Sequence, residues 1–292
     1  MATLTMSTNF THELVTDLFD KVKGKSSLAK LSGQMPVAFT GSDIFTFNMD
    51  DEVNLVAEGA VKKSGRLTVK PVHVVPLKVE YGARVTDEFM TATEEKQLEI
   101  LAAFNEGYAK KVARGLDIMA MHGINPRDKS KAGTIGTNSF DTADGVTKVT
   151  YTVGTEEAVL ETASAAIGDY DTSGFALSKG FGSELAKVKV NGVPQYPEFR
   201  FGASPAALGG VPCDINSTVS FVNDVAGYVG DFASAFKWGF AKEIPLEVIP
   251  YGDPDQSGED LKAHNQVYLR AETYIGWGIL DPTAFSRIVK EG

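Results

Sequence analysis

The segment Asn265-Gln266-Val267-Tyr268-Leu269-Arg270-Ala271-Glu272, which closes on Gly278-Ile279-Leu280-Asp281-Pro282-Thr283-Ala284-Phe285, decides the reading of this chain. Upstream of it lie Gly230-Asp231-Phe232, a stretch around Phe236 and Trp238, and the strand-like Glu243-Ile244-Pro245-Leu246-Glu247-Val248. The acidic run Asp253-Pro254-Asp255-Gln256-Ser257-Gly258-Glu259 separates the two strand-like segments. The end of the chain therefore reads as a return of strands joined by turn-forming residues.

Working back toward the N-terminus, Leu208-Gly209-Gly210-Val211-Pro212-Cys213-Asp214-Ile215 enters another strand, Asn191-Gly192 is a tight turn that tolerates positive φ, and Ser183 to Val190 reads as a short helix. Phe175-Ala176-Leu177 reads as a buried strand. Val159, Leu160, Ala163, Ala166 and Ile167 share one face of a helix that begins at Thr155 and stops at Gly168. Before it, Thr91-Ala92-Thr93-Glu94 fits a capping box, and the helix it opens runs through Leu98, Leu101, Phe104, Tyr108, Val112, Leu116 and Met119 to Gly123. Such a helix spans on the order of 40 Å. Gly107 and Gly115 inside it suggest close approach by a neighbouring backbone.

From Asp43 to Val85 the period is two. Phe45, Phe47 and Met49 oppose Ile44, Thr46 and Asn48; Asp50-Asp51 turns the chain; and Val72, Val74, Leu77, Val79 and Tyr81 form the return run. Glu58 to Arg66 is polar, charged and glycine-bearing, as expected of a projecting tip. A two-stranded ribbon of this kind is marginal in water unless another surface covers it. The first 40 residues read as an arm, helical around Leu14, Val15, Leu18 and Phe19, broken at Gly24-Lys25-Ser26-Ser27 and restarting at Leu28 to Leu31.

At 292 residues and 43% hydrophobic the chain can bury a large core. No apolar run reaches the roughly 18 residues needed to cross a bilayer, and the first residues lack the pattern of a signal peptide. Cys213, the single cysteine, reads as a small buried apolar residue. With 28 basic against 38 acidic residues the net charge is −10, which disfavours sequence-specific reading of nucleic acid but leaves room for a local basic patch on one face.

No catalytic set emerges. His12, His73, His122 and His264 are dispersed, and Gly133-Thr134-Ile135-Gly136 and Gly180-Phe181-Gly182 complete no phosphate-binding pattern, so both read as turns. Glu156, Glu157, Glu161, Asp169 and Asp171 read as ordinary surface acids. Asp253 to Glu259 begins like a calcium loop, with oxygen ligands at alternate positions and glycine at the sixth, but His264 stands where the bidentate glutamate belongs and Pro254 is unfavourable. The run reads as a solvated acidic turn. No cofactor or metal is expected.

The order of elements resembles the major capsid proteins of tailed bacteriophages, the Johnson-fold capsid family shared with encapsulins. The resemblance rests on Ala57-Glu58-Gly59-Ala60 with Lys62 and Ser64, on Val85-Thr86-Asp87-Glu88-Phe89, on Leu208-Gly209-Gly210-Val211-Pro212, on Gly230-Asp231-Phe232, and on Asn265 through Phe285. It implies an α+β fold with an N-terminal arm (1–40), an extended β-hairpin loop (41–82), a peripheral domain with a long spine helix (83–150 and 240–292) and an axial domain (151–239). It implies a structural role in the virion and no enzymatic activity. The chain would self-assemble in the host cytoplasm through pentamers and hexamers into an icosahedral shell that encloses double-stranded DNA without sequence-specific binding and without a membrane.

The resemblance further implies that the extended loop lies over the adjacent subunit, which makes Glu58, Lys62, Lys63 and Arg66 candidate contact residues. Some members link a loop lysine covalently to a neighbour's asparagine; here the partners would be Lys62 or Lys63 and Asn265. Scaffolding, portal and decoration proteins are further partners it suggests. Many relatives carry a long helical leader before the arm, and this sequence shows none, which leaves a separate scaffold, assembly without one, or a shortened chain; Met1 argues against the last. Two alternatives stay open: a nanocompartment shell of the encapsulin type and, from a different class, a soluble enzyme.

Overall fold

The computed structural model describes residues 25–49, 51–222, 224–242 and 246–291. The arm's first helical reading, around Leu14 to Phe19, lies outside these residues. The restart at Leu28 is present as a helix over Ser27–Leu31, capped by the Ser26 hydroxyl, which accepts from the Ala29 amide. The chain then crosses the body as β1, Gly33–Gln34.

Strands β2 (Ser42–Met49) and β3 (Leu67–Val74) pair antiparallel, with Ser42 opposite Val74 and Met49 opposite Leu67. The return run ends at Val74. Leu77, Val79 and Tyr81 belong instead to β4, Leu77–Thr86, which leaves the hairpin after Pro76 and pairs along its whole length with a strand of the body. The period of two continues through both strands, so alternation alone could not mark the point where the chain changes sheets.

A short helix, Glu88–Thr91, precedes the spine helix Glu94–His122. Thr93 is its N-cap, so the capping box anchored on Thr91 is not formed. At 29 residues the helix is about 43 Å long, and Gly123 ends it with φ +68°. Gly115 has only Met119 and Pro126 side-chain atoms near its missing Cβ, at 3.8 and 3.9 Å, and Gly107 has nothing within 4 Å. Among the described residues, neither glycine has a backbone neighbour from another element at its Cβ position.

The remaining strands are β5 (Thr147–Tyr151), β6 (Gly174–Leu177), β7 (Lys189–Val190), β8 (Val193–Pro194), β9 (Ala207–Leu208), β10 (Val211–Ile215), β11 (Val225–Gly230), β12 (Phe236–Lys242), β13 (Glu247–Ile249), β14 (Gln266–Ile279) and β15 (Phe285–Lys290). Among the described residues they form two large sheets and two small ribbons. In one large sheet the order is β1-β12-β14-β13, with β4 also paired to β14. The other, β5-β15-β11-β6-β10-β9, is mixed. β14 alternates buried and half-buried side chains, burying Val267, Leu269, Ala271, Thr273 and Ile275. The spine helix packs on this side, joining Leu101 to Val267 and Leu269, and Tyr108, Val112, Leu116 and Met119 to Ile275 and Trp277.

The helix Glu156–Ala165 buries Val159, Leu160 and Ala163 over the six-stranded sheet. Beside it, Ser178 caps a helix over Lys179–Leu185. That helix begins earlier than the predicted Ser183, and Gly180 and Gly182 are helical rather than turn residues. Gly182 packs tightly: a Cβ there would lie 2.6 Å from Ile215 Cδ1, so a larger residue would displace that side chain. Asn191 and Gly192, at φ +50° and +82°, form the tight turn between β7 and β8. Cys213 is buried, and burial pushes its thiol up to about 12.

Two buried carboxylates hold the arm and the sheets to the spine helix. Asp117, wholly buried, accepts from Ser26 Oγ, the amides of Ser27 and Leu28, Asn216 Nδ2 and Thr218 Oγ1. Asp141 accepts from Tyr228 Oη at 2.9 Å and from Arg287, and lies 2.8 Å from His122 Nδ1. Burial opposes its charge, but these partners win and hold the carboxyl below its usual range.

Candidate functional site

The β2–β3 hairpin has two unlike faces. On one, Ile44, Thr46 and Val72 are partly covered and Val74 is fully buried. The other carries Phe45, Phe47 and Met49 opposite Pro71, Val69 and Leu67, and it meets solvent: Phe45 is 58% exposed, Phe47 66% and Met49 86%. Fully burying a side chain of this size is worth about 1.5–3 kcal/mol, so six of them on one ribbon form a strongly unfavourable surface for a solitary molecule.

Backbone geometry at the root sets where the ribbon leaves the body. Val74 and Val72 pack over Gly276 and Gly278 of β14, where a Cβ would meet Val74 Cγ1 at 3.1 Å and Val74 Cγ2 at 2.8 Å respectively. The arm crosses the adjacent Gly239 of β12 so closely that a Cβ there would lie 1.8 Å from the Met35 carbonyl oxygen. A side chain at Gly239 would push the arm off the sheet, whereas one at Gly276 or Gly278 would force the Val74 side chain to shift. From Asp51 to Arg66 the tip has no helix or strand, and the Asp51 carboxylate closes its neck by accepting from the Arg66 amide at 2.7 Å.

Glu58, Lys62, Lys63 and Arg66, the contact residues expected from sequence, all lie in this exposed tip. Asn265 is also exposed, but on the body: it sits at φ +52° just before β14 and accepts from the Asp87 amide through its carbonyl. What the sequence reading passed over is the apolar surface. Besides the hairpin face, Val53, Leu55 and Val61 at the tip are almost wholly exposed. Period-two alternation had separated Phe45, Phe47 and Met49 from their neighbours; it could not say which of the two faces is left uncovered.

The β7–β8 ribbon and the segment after it present a smaller version of the same feature. Val190 and Val193 are exposed beside the Asn191–Gly192 turn. Phe201, a non-glycine residue at φ +60°, is entirely open to solvent. Among the described residues no group of histidine, cysteine or carboxylate side chains is arranged to hold a metal, and no helix is long and apolar enough to cross a membrane.

No protein-family model and no curated protein sequence matches this chain. Solved structures do. One from Mycobacterium phage Ogopogo is 30% identical, with a TM-score of 0.75 over 91% of this chain and 92% of that one. A structure from Gordonia phage Cozz matches at 23% identity and a TM-score of 0.75, over 92% and 87% of the two chains. The capsid of an empty GTA particle matches at 16% identity and a TM-score of 0.67, over 92% and 90%. The expected α+β capsid fold is thus the observed one, a protruding hairpin with no cover of its own is what a tile for a shell requires, and the chain belongs to the tailed-phage major capsid proteins, structural shell proteins rather than enzymes.

Proposed function

We propose that this protein assembles through pentamers and hexamers into an icosahedral phage head that encloses double-stranded DNA, built in the host cytoplasm. The observation that carries this reading is the uncovered apolar face Phe45, Phe47, Met49, Leu67, Val69 and Pro71. A second copy of the chain is the natural cover, because a repeating lattice gives every hairpin the same neighbour and sums many modest contacts. In this reading Glu58, Lys62, Lys63 and Arg66 meet the neighbour's rim around that apolar centre, the segment bearing Val190, Val193 and Phe201 faces the five- and six-fold axes, and scaffolding, portal and decoration proteins act on the assembled lattice. The arm, loop, peripheral and axial divisions follow the ranges given above, with the loop proper reduced to 42–74.

The test is size-exclusion chromatography with light scattering on the purified chain, followed by negative-stain microscopy of the leading fraction. Closed shells, or rings of five and six, support the reading; a chain that stays monomeric under all assembly conditions removes it. Denaturing gel electrophoresis of the particles tests the covalent link from Lys62 or Lys63 to Asn265 of a neighbour. Subunits that run only as monomers exclude it.

A further inference from the structure

The ring of Phe221 is approached by two cations of its own chain. Arg114 of the spine helix places its guanidinium carbon 5.1 Å from the ring centroid, and Lys129 of the following loop places its ammonium 4.9 Å away. Arg114 is also fixed by a bond to Ser217 Oγ at 3.0 Å. Lys129 reaches its position from a left-handed backbone, φ +60°, a conformation costly for a residue other than glycine and retained only where the surroundings over-determine it. The loop folds back on the helix, with Pro126 Cγ 3.9 Å from where a Cβ would stand on Gly115.

Further cations stand close by on the same two elements. Lys111, one turn before Arg114, is exposed, as is Lys131, which bridges to Ile124. Among the described residues, Lys111, Arg114, Lys129 and Lys131 make no ion pair. The nearest carboxylates along the chain are engaged locally: Glu106 pairs with Lys110 at 2.6 Å, and Asp128 turns onto the amide and hydroxyl of Ser130 at 2.9 and 2.7 Å. In a chain of net charge −10, these four cations on one helix and the loop that folds back on it, two of them held against one aromatic ring, make a local concentration of positive charge.

We propose that this patch, Lys111, Arg114, Lys129 and Lys131 arranged about Phe221, is where the protein contacts the phosphate backbone of nucleic acid. The proposal rests on the reading of the chain as a DNA-enclosing shell. Phosphate fits this set because three ammonium groups and a guanidinium can each donate to a phosphate oxygen, and a backbone of regularly spaced phosphates offers several such acceptors at once. Contact of this kind is independent of sequence, as a container needs.

The experiment measures binding of a random-sequence DNA duplex to the unassembled full-length chain by fluorescence anisotropy across a salt series. It compares wild type with the triple variant Lys111→Gln, Lys129→Asn, Lys131→Gln; asparagine at 129 removes the charge while accepting the left-handed backbone. A control triple, Lys148→Gln, Lys187→Gln, Lys189→Gln, makes the same change of net charge elsewhere on the exposed surface. Wild-type binding should weaken steeply with salt, and the patch triple should lower the log–log slope by about 2.7, at about 0.9 for each phosphate no longer neutralised, with the control unchanged. An equal loss in both triples would show attraction to net charge alone and overturn the proposal. So would wild-type binding that a polyglutamate chain displaces more readily than competing duplex does. Shell formation, scored by microscopy on the same preparations, separates failure here from failure of the capsid reading: shells with no patch-dependent DNA binding sink only the former.

Discussion

Arg84 grips Asp255 with two prongs: Nε donates to Oδ2 at 2.9 Å and Nη2 to Oδ1 at 2.5 Å. The same Nη2 lies within hydrogen-bonding distance of Asp253 Oδ1, Ser257 Oγ and the Glu259 carbonyl. These are the first, third, fifth and seventh positions of the run that begins like a calcium loop, so a guanidinium from β4 stands where a cation would stand. The acidic turn is therefore more than a solvated loop. It is a clasp that fastens the connection between β13 and β14 to β4.

Arg84→Gln should open this clasp without unfolding the body. The expected result is faster proteolysis and amide exchange confined to 252–260, with the thermal midpoint little changed; Arg84→Lys should resemble it, since an ammonium cannot span both oxygens of Asp255. The hydrogen bond from Arg84 holds the Asp255 carboxyl well below its usual range. A carboxyl depressed in the folded state stabilises above its unfolded pKa and loses that contribution as pH falls toward the folded one. Protection of the loop should thus persist at about pH 5 and be lost only below about pH 4.

Asp117→Ala removes the common acceptor of Ser26 Oγ and the Ser27 and Leu28 amides, all buried. A loss of about 3 kcal/mol or more is expected, with the arm helix Ser27–Leu31 released first, as read by denaturant unfolding and proteolysis near Lys25 and Lys30. Burial raises this carboxyl to about 6, against the bonds that lower it. The folded state therefore binds the proton more readily than the unfolded one, and wild-type stability gains from Asp117 as pH falls from about 6 to about 4. The gap between wild type and Asp117→Ala should widen over that window; a constant gap would count against a titrating Asp117.

Gly239→Ala places a methyl group 1.8 Å from the Met35 carbonyl oxygen, and Gly278→Ala places one 2.8 Å from Val74 Cγ2. The first meets backbone and the second a side chain that can shift, so Gly239→Ala should cost more, about 2–4 kcal/mol against roughly 1–2. Chemical denaturation of the two variants checks the order.

Phe45→Asp with Phe47→Asp should leave the isolated subunit within about 0.5 kcal/mol of wild type, because both rings are mostly exposed in it. Assembly should fail or require far higher protein concentration, followed by light scattering. Lys62→Ala with Lys63→Ala, at the charged tip, should slow assembly and alter its salt dependence while still giving shells.

The sequence by itself determined the elements whose cause is local. The spine helix follows from apolar spacing along one face and from Gly123, the tight turn from Asn191-Gly192, and the long last strands from alternation that needs no knowledge of the partner. Order along the chain also carried the family resemblance. Tertiary structure alone decided what depends on a second element. It moved Leu77 to Tyr81 from the hairpin to the sheet, turned Gly180 and Gly182 from turn residues into helix residues, with Gly182 packed on Ile215, filled the acidic loop with Arg84, and selected the face of the hairpin that stays bare. Periodicity states that a strand has two faces, but burial is a property of the pair, and only the partner's position determines which face faces water.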